Sequence, residues 1–145
     1  MKIKPPPILV VEDNDNDLEM TLDALTSHNL LNDIEIARDG SEALEYLFRK
    51  GQWENRPEGN PCLVLLDLKM PKVTGQEVLS IMKNDKRTNT IPVVILTSSG
   101  EEKDILEGYN LGTNAYVVKP VRFDEFLDAV KLLGAFWILL NAPPA

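Results

Sequence analysis

Asp67 follows the apolar run Leu63-Val64-Leu65-Leu66, Glu12 and Asp13 follow Ile8-Leu9-Val10-Val11, and Lys119 follows Ala115-Tyr116-Val117-Val118. Short apolar runs bounded by turn residues read as strands buried on both faces. In an open parallel sheet the carboxyl ends of the strands line the ligand crevice. Three carboxylates and one ammonium would then meet at one mouth, which is costly unless a cation or a phosphate joins them. A carboxylate at such a strand end can act as a nucleophile towards phosphorus and form an acyl phosphate. Two more acids beside it can hold a hard divalent ion; Mg2+ takes oxygen ligands and keeps several waters. Three carboxylates against a divalent ion and Lys119 leave the loaded pocket near neutral. A phosphoryl group adds roughly −1.5 to −2 of charge, to be met by the ion, the ammonium and hydroxyl or amide donors. Thr97, Ser98 and Ser99, at the end of the run Val93-Val94-Ile95-Leu96, are placed to donate. Taken singly, each of these residues is more often a solvated strand end or a helix cap. Together, in matching chemical roles at four strand ends, they point to a phosphoryl pocket.

The elements that would position these groups are legible along the chain. Strands are expected at 8–12, 33–37, 62–67, 92–97 and 115–118, alternating with helical patterns. The first helix follows Asn14-Asp15, good capping residues, and carries Leu18, Leu22 and Leu25 on one face. The second starts after Gly40-Ser41, read as its cap, with Ala43, Leu44 and Leu47 inward. The third follows Gly75 and buries Val78, Leu79 and Met82. The fourth runs from Glu101 to Leu111 with Gly112 as its stop; its acidic start, Glu101-Glu102-Lys103-Asp104, complements the helix dipole. The fifth begins near Arg122, with Phe123, Phe126, Leu127, Val130 and Leu133 at i, i+3, i+4 spacing. Regular β-α alternation implies a parallel sheet covered by helices on both faces. The stretch from Gly51 to Pro61, rich in Gly, Pro and Asn, reads as a loop.

Composition narrows the class. The chain has 145 residues, 43% of them hydrophobic, enough for one domain with a proper core. A net charge of −8 disfavours nucleic acid as a partner. Lys2 and Lys4 are followed by Pro5-Pro6-Pro7 and only four apolar residues, so no signal peptide is read. No apolar run approaches the roughly 20 residues that span a bilayer, so no membrane partner is expected. Cys62 is the one cysteine, which excludes an internal disulfide and fits a reducing, cytoplasmic setting. It reads as a small core residue at a strand start. His28, near the end of the first helix, has no ligand companion at suitable spacing and reads as a surface histidine.

Five segments in order, Val10-Val11-Glu12-Asp13-Asn14, Leu65-Leu66-Asp67-Leu68-Lys69-Met70-Pro71, Gly75, Leu96-Thr97-Ser98 and Lys119-Pro120, resemble the receiver domain of bacterial two-component response regulators. The likeness runs from Ile8 to about Leu133. It implies a flavodoxin-like α/β fold with a doubly wound, five-stranded parallel sheet in the order 2-1-3-4-5. It divides the chain into a Pro-rich lead at 1–7, a receiver domain at 8–140 with an extended last helix, and a tail at 141–145. By the same resemblance Asp67 accepts a phosphoryl group from the phosphohistidine of a sensor histidine kinase. The protein is then a phosphoacceptor rather than an enzyme with a substrate of its own, promoting only its own phosphotransfer and dephosphorylation. Asp13 binds Mg2+ (or another divalent cation) directly, Glu12 does so directly or through water, Asp67 contributes its carboxylate and Lys69 its backbone carbonyl. Thr97 and Ser98 bind phosphoryl oxygens, Lys119 pairs with the phosphate, and Tyr116 matches the switch aromatic that turns inward when Thr97 moves. The Lys119-Pro120 peptide is expected to be cis, a state few X–Pro bonds reach.

The loop from Gln52-Trp53 to Pro61, the sequence Lys119-Pro120-Val121 and the pair Phe136-Trp137 resemble the single-domain regulators paired with bacterial phytochrome kinases. That implies a phytochrome-type kinase as partner. A downstream phosphotransfer protein is a further expected partner, and with the chain ending at Ala145 no output domain is expected. The tail Phe136-Trp137-Ile138-Leu139-Leu140 is apolar on every side of a helix, so its outer face is expected to be covered. A homodimer using Phe136, Trp137, Ile138 and Leu140 is expected; the tail folding back on its own domain is the alternative.

Three rival functions fit these residues less well. A phosphatase with an aspartate nucleophile would place a second Asp two residues on as general acid, where this chain has Lys69. A nucleotide- or flavin-binding domain would need a Gly-rich or hydroxyl-rich loop after the first strand. The loop here is Glu12-Asp13-Asn14-Asp15, which repels phosphate unless a metal intervenes. A decayed interaction module would have lost part of the receiver set, and every motif residue is present.

Overall fold

The structure, a computed structural model, describes residues 5–27, 30, 32–70, 72–100, 102 and 115–134. The expected fourth helix (Glu102 excepted), His28, Pro71 and the apolar tail Phe136, Trp137, Ile138 and Leu140 lie outside the described residues. The elements are β1 (Ile8–Val11), α1 (Asp15–Thr26), β2 (Ile34–Ala37), α2 (Gly40–Phe48), a 3-10 turn (Gly51–Trp53), β3 (Leu63–Asp67), α3 (Gly75–Lys83), β4 (Val93–Thr97), β5 (Tyr116–Val118) and α4 (Phe123–Leu132), the helix expected fifth. Each expected strand is found, trimmed by a residue or so at its ends.

The sheet is parallel throughout, in the order β2-β1-β3-β4-β5, as the receiver resemblance implies. Side chains alternate between its two faces. Leu9, Val11, Val64, Leu66 and Ile95 face α2 and α3, meeting Ala43, Leu47, Val78, Leu79 and Met82. Ile8, Val10, Leu63, Leu65 and Leu96 face α1 and α4, meeting Leu18, Leu25, Phe126 and Val130. Burial on both faces is why the strands read as unbroken apolar runs. A fully buried side chain such as Phe126 contributes about 1.5–3 kcal/mol over an exposed one.

Register sets the functional end. Val11 pairs with Leu66, Asp67 with Leu96, and Thr97 with Val118. Glu12 therefore leaves β1 level with Asp67, Thr97 lies one row further out, and Lys119 follows directly.

Three local readings need correction. The cap of α2 is Asp39, whose side chain accepts from the Glu42 amide at 2.8 Å, rather than Gly40-Ser41. The stretch from Gly51 is more than a loop: it opens with a 3-10 turn, and Trp53 packs edge-on against Tyr46 with ring centres 4.9 Å apart. Cys62 lies just before β3 and is only half-buried; burial pushes its thiol up to about 11. The Lys119-Pro120 peptide is cis, as expected. Among the described residues, no helix is long and apolar enough to cross a membrane.

Candidate functional site

Glu12, Asp13 and Asp67 converge: each presents a carboxylate oxygen, and these oxygens lie within 4.8 Å of one another. Glu12 and Asp67 are buried and Asp13 reaches further towards solvent. Glu12 is fixed by its place at the end of β1 and by the Asn14 amide, which donates to its Oε2 at 3.3 Å. Asp67 is fixed by the Lys69 amide, which donates to its Oδ1 at 3.2 Å. Lys119 reaches in from the end of β5, with Nζ 2.7 Å from Glu12 Oε1 and 3.3 Å from Asp67 Oδ2.

This arrangement strains the acids. Burial, reinforced by the neighbouring Asp67 carboxylate, pushes the Glu12 carboxyl up to about 7, against the pull of Lys119. Burial alone would push the Lys119 ammonium down. Its ion pair with Glu12, its hydrogen bond to Asp17 and the charge of Asp67 overcome that and hold it above the ordinary lysine range. Glu12 Oε1 is buried and has no aligned hydrogen bond, only the ion pair with Lys119. An all-oxygen cluster with an under-satisfied buried carboxylate suits a hard divalent cation, which would relieve the repulsion. The residues present therefore fit the ion that the sequence implied.

The other expected residues lie nearby with their hydroxyls engaged elsewhere. Thr97 is wholly buried and donates through Oγ1 to the Ser99 carbonyl at 3.3 Å. Ser98 donates to Glu102 Oε2, and Glu102 also pairs with the Lys69 ammonium at 3.0 Å. Tyr116 is buried in the apolar cluster on the α2–α3 face, in the inward position.

One participant escaped sequence reasoning. Asp17, on the first turn of α1, lies 3.0 Å from Lys119 Nζ through its Oδ2. The signal was faint, because an Asp three residues after an Asn cap reads simply as a complement to the helix dipole. The geometry that matters is the reach of Lys119 across the sheet, which the local spacing does not encode.

Residues 8–131 match the response regulator receiver domain family. The chain is 36% identical over 141 residues to Response regulator Rcp1 of Synechocystis sp., covering 97% of this chain and 95% of that one. Among solved structures it superposes on the bacteriophytochrome response regulator AtBRR with a TM-score of 0.91 at 54% identity, covering 97% of this chain and 100% of the other. The Mn(2+)-bound form of response regulator Rcp1 gives a TM-score of 0.72 at 35% identity, covering 97% and 100%.

Proposed function

The chain belongs to the response regulator receiver domain family, and from that premise we propose that it takes a phosphoryl group onto Asp67 from a sensor histidine kinase of the bacterial phytochrome class, with Mg2+ as the cation. The observation that carries this reading is Asp67 at the carboxyl end of β3, with the Lys119 ammonium 3.3 Å away and Glu12 and Asp13 beside it. The similarity to AtBRR and Rcp1 supports the phytochrome assignment.

In this mechanism a carboxylate oxygen of Asp67 attacks phosphorus as the bond from phosphorus to the kinase imidazole nitrogen breaks. The electron pair of that bond leaves with the imidazole, and an acyl phosphate forms. Glu12, Asp13, Asp67 and the Lys69 carbonyl would hold the cation, which would supply charge neutralisation for the incoming oxygens. Lys119 takes up one phosphoryl oxygen. The Thr97 hydroxyl, released from the Ser99 carbonyl, and Ser98 donate to others; Tyr116, the switch aromatic by resemblance, is already buried while Thr97 is still bonded to Ser99. The protein promotes its own phosphotransfer and dephosphorylation and passes the signal to a phosphotransfer protein in the cytoplasm.

Incubation with acetyl phosphate and Mg2+, followed by intact mass, tests the reading. One acid-labile phosphoryl group per chain is expected, lost in EDTA and in Asp67→Asn, which keeps the shape and removes the nucleophile. Labelling of Asp67→Asn at the wild-type rate rules Asp67 out.

A further inference from the structure

Lys119 is held from two sides. Glu12 and Asp67, which it meets at 2.7 and 3.3 Å, belong to the acid cluster that suits a cation; Asp17, at 3.0 Å, does not. The contact to Asp17 has hydrogen-bond geometry. Asp17 is also fixed in place: Asn14 Oδ1 accepts from its amide at 2.9 Å, and the Asn14 amide donates in turn to Glu12 Oε2. The site thus has a fourth carboxylate, bound to Lys119 and to no other charged group among the described contacts.

That changes the charge balance. A divalent cation among Glu12, Asp13 and Asp67 shares the charge of two of Lys119's partners and leaves Asp17 as the carboxylate facing Lys119 alone. Four carboxylates against a divalent cation and one ammonium leave the loaded pocket with one excess negative charge before any phosphoryl group arrives. A phosphoryl group on Asp67 must then draw Lys119 away from Asp17 or share it, in the field of that extra charge. A bound cation gains from the same two features: the extra negative charge attracts it, and Asp17 draws Lys119 off the carboxylates it needs.

We propose that Asp17 is a positioning residue that holds the Lys119 ammonium on the α1 side of the pocket, competing with the phosphoryl group for it while favouring the bound cation. The proposal rests on the receiver reading above. It gives Asp17→Asn, which keeps the shape and removes the charge, effects of opposite sign on two ligands.

Two binding constants test it on the intact protein. Beryllium fluoride, a tetrahedral stand-in for a phosphoryl group on a carboxylate, is titrated at saturating Mg2+; Mg2+ is titrated alone by calorimetry. Asp17→Asn is expected to bind beryllium fluoride roughly threefold to tenfold tighter, the size of a partly exposed ion pair, and Mg2+ more weakly by a similar factor. Asp17→Glu, which restores the charge, should return both constants towards wild type. If Asp17→Asn binds beryllium fluoride no tighter, or if both affinities fall together as a disturbed α1 cap would make them, the role assigned to Asp17 is wrong. A wild-type protein that neither binds beryllium fluoride nor labels with acetyl phosphate overturns the receiver reading itself, a separate result.

Discussion

Gly75 lies against the backbone of Asp67 so closely that a Cβ on it would sit 2.3 Å from the Asp67 carbonyl oxygen and 2.6 Å from Leu68 Cα. Both are main-chain atoms, which cannot swing aside as a flexible side chain would. The Gly75 amide also donates to the Leu68 carbonyl at 3.2 Å, so the start of α3 is locked to the turn that follows β3. Gly75→Ala must therefore move either α3 or the residue carrying the acceptor carboxylate. The expected cost is about 1–3 kcal/mol of stability, with labelling by acetyl phosphate slowed by about two orders of magnitude, since small misplacements of a reacting group are expensive. Urea denaturation and a labelling time course measure both. A variant as stable and as reactive as wild type would show that the contact does not position Asp67.

A second expectation concerns pH in the absence of divalent cations. Glu12 is wholly buried, with its acid pushed up to about 7, whereas in the unfolded chain it returns to an ordinary 4.5. Between those values the folded protein binds more protons than the unfolded one, so stability falls as pH rises through the window and levels off above about 7. The full drop is on the order of 3 kcal/mol. Denaturant midpoints in EDTA across this window should show the decline in wild type, and Glu12→Gln should flatten it. An equal slope in the variant would assign the titration to another group.

The contrast between Asp67 and Asp17 shows what kind of information the sequence carries. Asp67, Glu12 and Lys119 each end a strand buried on both faces, and parallel register brings such ends together whatever the intervening loops do. Asp17 matters through one long side chain arriving from β5, a contact 102 residues distant in sequence. The cap of α3 was written locally and still passed over: Thr74 and Glu77 form a reciprocal capping box at the spacing such boxes require. At α2, Asp39 displaced the expected cap because its carboxylate reaches the Glu42 amide, while a Gly40 side chain would strike the Val73 carbonyl. Gly40 is thus a close-packing residue rather than a cap.

Arg56 is a third test case, since nothing periodic announced it. Its guanidinium donates to the carbonyls of Tyr46, Leu47, Pro57 and Gly59 and stacks 4.2 Å from the Tyr46 ring centre. It thereby closes the carboxyl end of α2 and folds the following segment back on it. Lysine cannot reproduce a planar fork that serves several acceptors. Arg56→Lys is expected to cost about 1–3 kcal/mol and to open the segment from Gly51 to Pro61 to proteolysis, with acetyl phosphate labelling of the folded protein unchanged. Unchanged stability and protease resistance would mean that Tyr46 and Trp53 hold the segment without it.

The last prediction follows from the apolar tail in the sequence. Phe136-Trp137-Ile138-Leu139-Leu140 offers no polar face along a helix, and Leu132, on the described helix that precedes it, is already 71% exposed. An apolar surface of this kind is expected to be covered by a second copy of the chain, with Trp137 as the principal anchor, since aromatic residues carry a disproportionate share of interface energy. Trp137→Glu puts an unpaired charge into that contact and should shift the protein towards monomer. Asp67 sits at the carboxyl end of the sheet, so labelling by acetyl phosphate should largely survive. Light scattering over a concentration series, with labelling alongside, reads both. A wild-type monomer at high concentration removes the dimer, and a Trp137→Glu protein that unfolds shows instead that the tail packs on its own domain.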